Sequence, residues 1–286
     1  MTVTIIISTR NRASVLPRAV ASVRIQSFVD WELVVVDDGS SDDTEATVRG
    51  LAANDNRIVY LRNERPSLSI AGATNWALRE ARGKYVAILD DDDAWIPADK
   101  LARQVDFLDR NPSHVACGGG AIVVNQQGAE TGRVLQPETD SAIKRFALLS
   151  NPVVNSSAMF RLEAARRIGL YDESLPQFAD WALWLDLGRI GRLHNFQEYF
   201  VFYTRWSGNS TFSNRKGNAE ASRMIVRKFK GHYPYYMAAL GVAYAYPLRS
   251  RWMGSFKQII RTLQSATGLR SAARSQPPVA TPDRQR

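Results

Sequence analysis

The chain has 286 residues, of which 45% are hydrophobic and 23% are charged, and this suits one large α/β domain or a domain with an appendage. A single cysteine, Cys117, excludes a disulfide framework and a cluster of thiolate metal ligands. No apolar run reaches the roughly 18 residues that a spanning helix needs, and the first residues lack the basic start of a signal peptide.

The positive charge of the chain is concentrated at its C-terminal end. The formal net charge is +9, and residues 215–286 hold 14 Lys and Arg against two acids, Glu220 and Asp283. Residues 1–214 hold 23 basic and 26 acidic residues, so the body of the chain is close to neutral. A basic segment attached to a near-neutral domain indicates an anionic partner, either a membrane or a nucleic acid.

Short apolar runs alternate with helical patterns in the first half of the chain. Strands are predicted over residues 3–8, 32–36, 57–61 and 85–89. Helices are predicted over residues 15–25, from Asp42 onward, and over residues 71–81. This alternation predicts βαβ units, and hence an α/β fold with a mostly parallel sheet and helices on both faces.

The second half of the chain has a mixed pattern. Helices are predicted over residues 100–108, 161–168 and 180–190, and strands over residues 114–124 and 193–203. Aromatic, aliphatic and basic residues then mix over 213–275, which predicts a basic, amphipathic helical extension that includes a helix over 252–263. Residues 276–286 are rich in Pro and Arg and are predicted to be disordered.

Three polar clusters lie at the carboxyl ends of predicted strands. Ser8-Thr9-Arg10-Asn11 lies at the end of the first strand, Asp37-Asp38-Gly39-Ser40 at the end of the second, and Asp90 to Asp93 at the end of the fourth. Open parallel sheets bind their ligands outside the carboxyl ends of the strands. We therefore expect these clusters to lie together, although dozens of residues separate them along the chain.

The four consecutive aspartates from Asp90 to Asp93 are the strongest chemical signal. Four adjacent like charges repel one another and have little structural use. At the end of a buried strand they form a site for a hard divalent cation and the phosphates that it carries. The alternative is a solvated acidic turn, because charge runs commonly face solvent.

Six segments, taken in their order and spacing, give the chain a resemblance to a known family. They are Ile7-Ser8-Thr9-Arg10-Asn11-Arg12, Val35-Val36-Asp37-Asp38-Gly39-Ser40-Ser41-Asp42, Ala73-Thr74-Asn75, residues 83–95, Gly169-Leu170-Tyr171-Asp172-Glu173 and residues 180–185. Over roughly residues 1–210 the chain resembles a family 2 glycosyltransferase with a GT-A fold. The resemblance implies a catalytic domain over residues 1–212, with a nucleotide-binding half over about 1–95 and an acceptor half over about 96–212.

The resemblance also implies which residues hold the nucleotide. Asp38 would accept a hydrogen bond from a uracil N–H, with Asp37 able to share that role. The alternative for Asp38 is a structural turn residue. Ser8, Arg10 and Ser69 would contact the nucleotide sugar, and the alternative for Arg10 is a surface cation.

A second set of implied roles concerns the metal and the reaction. Asp90 and Asp91 are assigned to the nucleotide sugar, with Asp90 reaching ribose or metal-bound water. Asp92 is the expected direct ligand of Mn²⁺ or Mg²⁺, and Asp93 would orient its neighbours. Asp180 is the expected general base, and its alternative is a helix cap.

The chain departs from the family's pattern at three places. Thr74 stands where an Arg is frequent, Ala179 where a Glu is frequent, and Trp206 where a His is frequent. The predicted positions of Trp95 and Trp206 near the cleft suggest that either could line the acceptor groove.

These assignments predict an inverting, metal-dependent hexosyltransferase in cell-surface polysaccharide biosynthesis. It would move a sugar from a nucleotide sugar, with a UDP-sugar favoured, to a glycan or polyprenyl-linked acceptor. One alternative is a sugar-phosphate nucleotidyltransferase, although residues 8–12 contain no glycine for a phosphate loop. Another is a non-catalytic basic module that binds membrane or nucleic acid, which leaves the acids at strand ends unexplained.

We expect a cytoplasmic protein that contacts the inner face of the membrane peripherally through residues 215–275. Packing of these helices on the catalytic domain, or in a homodimer interface, is an equal alternative. The enzyme would need no nucleic-acid partner.

Overall fold

In the computed structural model, which describes residues 1–64, 69–206 and 215–245, one sheet lies between two layers of helices. Its strands are β1 Val3–Thr9, β2 Trp31–Asp37, β3 Ile58–Arg62, β4 Tyr85–Ile88, β5 Ala94–Trp95, β6 His114–Val124, β7 Glu130–Val134, β8 Met159–Arg161 and β9 Arg192–Thr204. The helices are α1 Leu16–Arg24, α2 Thr44–Ala52, α3 Ile70–Glu80, α4 Lys100–Arg110, α5 Asp140–Phe146, α6 Leu162–Arg167, α7 Ala179–Ile190, α8 Arg215–Lys228 and α9 Tyr236–Ala245. The helix predicted over 252–263 and the tail predicted over 276–286 lie outside the described residues.

The sheet has the strand order β3-β2-β1-β4-β8-β6-β9-β5, with β7 paired to β6. The strands from β3 to β4 are parallel, as the βαβ pattern predicts. Beyond β4 the sheet is mixed, because β8 runs antiparallel to both β4 and β6 while β6 and β9 are parallel. The carboxyl ends of β1, β2 and β4 therefore share one edge, where the three polar clusters begin.

Helices cover both faces of the sheet, so the parallel strands carry apolar side chains on both sides. One core joins α1, α2 and α4 to one face, and the other joins α3, α6 and α7 to the opposite face. Every residue of β2 is buried, including Asp37 at its end. Burial on both faces explains why these strands read as continuous apolar runs.

A third core holds the C-terminal helices against the α/β domain. It joins α7 and the residues directly after α5 to α8 and α9, and the Tyr233 hydroxyl donates to the Leu185 carbonyl at 2.6 Å. Residues 215–245 thus pack on the domain, which is one of the arrangements that the sequence left open for residues 215–275, and residues 246–275 lie outside the described residues. No helix in the described parts of the chain is long and apolar enough to cross a membrane.

A short 3-10 turn, Asn155–Ser157, lies between β6 and the four aspartates Asp90 to Asp93, the acid run. The hydroxyl of Ser157 accepts from the Gly119 amide at 2.9 Å and fixes the turn to β6. A Cβ on Gly118 would approach Val153 to 2.7 Å, and a Cβ on Gly119 would approach the Phe200 ring to 2.5 Å. The glycines of β6 therefore allow the close packing that positions this turn.

Asn75 links α3 to the segment that follows α6. Its amide donates to the Tyr171 carbonyl and its oxygen accepts from the Tyr171 amide, both at 2.9 Å. Tyr171 follows Gly169 and Leu170, which have φ angles of 89° and 68°. Asn75 thus holds the segment after a turn that includes a left-handed non-glycine residue.

Asn75→Ala is expected to lower the free energy of unfolding by about 2–4 kcal/mol, because it leaves two buried backbone groups of Tyr171 unpaired. Urea unfolding followed by circular dichroism measures the change. Asn54→Ala is the matched control, because the Asn54 amide makes one exposed bond to the Gly50 carbonyl, and we expect a change within about 0.5 kcal/mol there. Equal stability of both variants would show that the hydrogen bonds between Asn75 and Tyr171 do not stabilise the fold.

Candidate active site

The three polar clusters meet at one edge of the sheet. The Thr9 hydroxyl donates to the Asp91 carboxylate at 2.7 Å, which joins the end of β1 to the acid run. The Asp38 amide donates to the Thr9 carbonyl at 2.9 Å, which joins the end of β2 to the end of β1. The convergence predicted from the strand pattern is confirmed by these contacts.

The two aspartates at the end of β2 have different surroundings. Asp37 is fully buried, and its two oxygens accept from the Ser40 amide at 2.7 Å and the Tyr60 hydroxyl at 2.6 Å. Burial and this bond raise the pKa of Tyr60 to about 12. Asp38 is 8% exposed and accepts from the Asn63 amide at 2.8 Å. Asp37 therefore shapes the turn, whereas Asp38 keeps a small exposed fraction at the edge of the sheet.

Of the side chains assigned to the nucleotide near β1 and α3, Ser8 and Ser69 form hydrogen bonds with neighbouring protein groups. The hydroxyls of Ser8 and Thr74 are 2.9 Å apart, and Thr74 also donates to the Ile70 carbonyl. Ser69 is the N-cap of α3 and accepts from the Gly72 amide at 3.2 Å. Arg10 is exposed. Thr74, in the place of the frequent Arg, thus ties α3 to the end of β1.

The four aspartates of the acid run are not equivalent. Asp90 accepts from the Asn155 amide at 3.0 Å, and its own amide donates to the Ser156 hydroxyl at 3.2 Å. Asp93 is fully buried and accepts from the Ser156 hydroxyl at 2.5 Å and the Thr204 amide at 2.8 Å. Asp93 therefore anchors the loop, as expected of a supporting residue.

The other two aspartates face a cation and an aromatic ring. Asp91 lies 4.0 Å from the Arg12 Nε. Asp92 is 8% exposed, and its Oδ2 accepts from the Trp206 Nε1 at 2.8 Å. The Arg12 guanidinium stacks over the Trp206 ring at 4.4 Å, and the Arg18 guanidinium donates to the Asp92 carbonyl. Trp206, in the place of the frequent His, thus contacts the carboxylate assigned to the metal.

The acid run is electrostatically strained. Burial and the neighbouring Asp92 raise the pKa of Asp90 to about 7. Burial also raises the pKa of Asp91 to about 6 and that of Asp93 well above its ordinary value. The charge of Asp180 adds to the rise in the pKa of Asp90, so the two carboxylates repel each other across the site. A cation at this place would relieve the repulsion.

Asp180 lies in the first turn of α7. The N-cap of this helix is Phe178, with a φ of 60°, so Asp180 is not the cap that the alternative reading required. Its Oδ2 accepts from the Asn151 amide at 2.5 Å. Burial raises the pKa of Asp180, so this carboxylate has a stronger affinity for a proton than an exposed one.

The donor set suits a divalent cation held partly by substrate. Among the residues that the structure describes, no group of three or more His, Cys, Asp or Glu forms a ready metal cage. Mg²⁺ in particular is commonly held by one or two carboxylates together with substrate phosphates. Asp92, beside buried carboxylates whose pKa values are raised, fits that arrangement better than a resident all-protein site.

Sequence reasoning missed the residues that hold the carboxylates. Asn63, Asn151 and Asn155 donate to the carboxylates of Asp38, Asp180 and Asp90, and Ser156 donates to that of Asp93. The polar residues of 151–157, set among buried apolar neighbours, were the available signal.

Trp95 corrects one expectation about the acceptor groove. It is 3% exposed and donates to the Ser156 carbonyl at 2.7 Å, so it supports the 3-10 turn from the core and does not line the groove. Of the two tryptophans proposed for the groove, Trp206 is the one that reaches the site edge, because it is half-buried beside Asp92.

The raised pKa of Asp90 gives a pH prediction for stability. A folded-state pKa of about 7, above the ordinary 3.8, means that the folded chain binds this proton more tightly than the unfolded chain. That stabilisation is complete below the ordinary pKa and is lost as pH rises through about 7. Without divalent cation, we expect the ionisation of Asp90 to lower the free energy of unfolding by about 1 kcal/mol between pH 6 and pH 8.

Denaturant unfolding in EDTA at both pH values measures this loss, and Asp90→Asn should reduce it. The exposed Asp43→Asn is the control and should leave it unchanged. An identical pH dependence in both variants would contradict the assignment.

The sequence model of the family described as Glycosyl transferase family 2 matches residues 4–169. A UDP-Glc:alpha-D-GlcNAc-diphosphoundecaprenol beta-1,3-glucosyltransferase, WfgD, of Escherichia coli is 37% identical over 136 residues, which cover 48% of this chain and 51% of that protein. A GalNAc(5)-diNAcBac-PP-undecaprenol beta-1,3-glucosyltransferase of Campylobacter jejuni is 41% identical over 148 residues, which cover 50% of this chain and 47% of that protein. The chain matches about half the length of these relatives.

Solved structures share the fold at low identity. S. aureus TarS 1-349 in complex with UDP-GlcNAc aligns with a TM-score of 0.65 at 20% identity, over 86% of this chain and 71% of that chain. The mannosyltransferase PcManGT from Pyrobaculum calidifontis, in complex with GDP-Man and Mn²⁺, aligns with a TM-score of 0.62 at 20% identity, over 95% of this chain and 82% of that chain. The GT-A fold predicted from the sequence is confirmed.

Proposed function

Since the chain belongs to glycosyl transferase family 2, we propose that it moves one sugar from a UDP-sugar to a glycan or polyprenyl-linked acceptor, with inversion and with help from Mn²⁺ or Mg²⁺. The observation that carries the proposal is the gathering of Asp38, the acid run and Asp180 around one edge of the sheet. The two glucosyltransferases whose names give undecaprenol-linked glycans support the acceptor class. The complexes of the two structural neighbours support a nucleotide-sugar donor and a divalent cation.

The donor would lie along the carboxyl ends of β1, β2 and β4. Asp38 is held in place by Asn63 and would accept a hydrogen bond from the base. Ser8, Arg10, Ser69, Asp90 and Asp91 are the proposed further contacts to the nucleotide sugar. Asp92 would hold the cation, which when bound supplies positive charge to both phosphates and to the departing nucleoside diphosphate.

The acceptor would approach from the side of α7. Asp180 has the charge, the raised pKa and the Asn151 bond to take a proton from the attacking hydroxyl. Ala179 precedes it, so the place where relatives often carry a second carboxylate has none. A single base on the acceptor side, with no neighbouring nucleophile, favours one displacement and hence inversion.

The test is a donor screen on the purified full chain. UDP-Glc, UDP-GlcNAc, UDP-Gal and GDP-Man would each be incubated with a synthetic polyprenyl-diphosphate sugar, with Mn²⁺, Mg²⁺ or EDTA. We expect nucleoside diphosphate release with a UDP-sugar, dependence on the cation, and a β linkage from the α donor by NMR. Equal turnover in EDTA would contradict the metal role, and an α product would contradict inversion.

A further inference from the structure

The last described helix, α9, has two unlike faces. Ala239 and Ala243, one turn apart, are buried against α8 and its neighbours. On the opposite side Met237 is 74% exposed and Tyr244 is 52% exposed. Met237, the exposed Gly241 and Tyr244 follow one another at helical spacing, so they form one continuous apolar stripe.

Cations of α8 and the turn after it border this apolar stripe. The Arg227 guanidinium donates to the Tyr244 hydroxyl. The guanidinium groups of Arg223 and Arg227 lie over the Tyr244 ring at 5.5 and 5.9 Å, and the Lys230 Nζ lies over the Tyr236 ring at 5.6 Å. Two cations therefore contact the exposed Tyr244, and a third contacts Tyr236 at the other end of the same helix.

The charge of this surface is not neutralised from within the described residues. The nearby Lys228 pairs with Asp172 and Asp186 at 3.0 Å each, whereas Arg223, Arg227 and Lys230 make no ion pair in the part of the chain that the structure describes. The sequence contains no Asp or Glu between Glu220 and Asp283. The surface therefore has a net positive charge that favours binding of a negatively charged molecule.

We propose that the apolar stripe, together with Arg223, Arg227 and Lys230, binds the headgroup region of an anionic phospholipid bilayer. Apolar and aromatic side chains bordered by Lys and Arg are the composition of elements that lie in a membrane interface. The inference rests on the proposed use of a polyprenyl-linked acceptor. It suits that use because α8 and α9 pack on α7, the helix that carries Asp180.

Two other occupants fit the surface less well. A second copy related by a two-fold axis would place the same cations opposite one another. Residues 246–286 of the same chain carry eight Arg and Lys against one acid, so covering the surface with them would add to its positive charge. A bilayer supplies negative charge that matches the cations of the surface, and an apolar interior that takes its exposed apolar side chains.

Flotation of the full chain with phosphatidylcholine vesicles, with and without phosphatidylglycerol, tests the proposal in the absence of any nucleotide sugar. We expect binding to the anionic vesicles only, and weakening at high salt. A triple variant, Arg223→Gln, Arg227→Gln and Lys230→Gln, should bind on the order of 100-fold more weakly, since each cation contributes about fivefold. Met237→Asp should also lose binding.

Matched variants separate this surface from bulk charge and bulk exposure. Arg49→Gln, Arg79→Gln and Arg110→Gln remove the same charge from other exposed positions, and Ile25→Asp changes another exposed apolar residue. Both controls should keep full binding. Equal losses in controls and test variants, or undiminished binding of the test variants, would overturn the proposal.

Two further readouts exclude other partners and separate this proposal from the proposed function. Release of a dimer to monomers by Met237→Asp in sedimentation velocity, or salt-sensitive binding of duplex DNA lost in the triple variant, would assign the surface to another partner and overturn the proposal. Transfer to a short-chain, water-soluble acceptor should be unchanged in Met237→Asp, so a failure of vesicle binding leaves the transferase assignment standing.

Discussion

Asp180→Asn is expected to lower the rate of sugar transfer by about 100- to 10,000-fold while leaving donor binding near its original affinity. The amide has almost the shape of the carboxylate but cannot take the proton of the acceptor hydroxyl. Burial raises the pKa of Asp180, so the rate of the unchanged protein should rise with pH through that raised pKa. The residual rate of the variant should lack this rise.

Initial rates of nucleoside diphosphate release, together with titration calorimetry of the donor, measure the two effects separately. Asp186→Asn is the matched control, because Asp186 lies on the same helix but forms ion pairs with Arg189 and Lys228 rather than contacts with the site aspartates. It should transfer at nearly the original rate. Transfer by Asp180→Asn at the control's rate would place the base elsewhere.

Asp92→Asn is expected to weaken cation-dependent donor binding by at least about 100-fold, since even residues outside the first coordination shell cost 10- to 100-fold. The variant keeps an oxygen for the Trp206 N–H but loses the negative charge that would hold the cation. Removal of one charge from the acid run should also lower the pKa of Asp90, because Asp92 is the carboxylate that contributes most to its rise.

Titration calorimetry of the UDP-sugar with and without Mn²⁺, and Mn²⁺ binding by electron paramagnetic resonance, measure the loss. Asp99→Asn is the control, because Asp99 is 58% exposed near Arg103 at the start of α4. It should bind cation and donor normally. Full cation-dependent donor binding by Asp92→Asn would remove Asp92 from the metal role.

The acid run lowers the stability of the folded chain at neutral pH. Asp90, Asp91 and Asp93 all have raised pKa values from burial, which means that the ionised loop opposes folding at neutral pH. The loop persists because Asn155, Ser156 and the Thr204 amide satisfy its oxygens. Such local cost is typical of sites that await a charged ligand.

The strands that sequence reasoning found are those with a strong local pattern. β1, β2 and β4 are continuous apolar runs, and β6 was predicted at its observed bounds, 114–124. Four elements were missed, β5, β7, β8 and α5, and two of them are very short: β5 has two residues and β8 has three. Runs of that length carry no period, so only their partners in the sheet define them.

The sequence by itself determined which residue types stand where parallel strands end, because burial on both faces forces apolar runs and the first polar residues mark their ends. That was enough to bring Asp38 and the acid run to one edge. The tertiary structure decided which oxygen of each aspartate is already satisfied. Those partners, Asn63, Asn151, residues 155–156 and Trp206, come from distant parts of the chain. A carboxylate's pKa and availability depend on burial and neighbours within a few ångströms, and only the folded chain sets these.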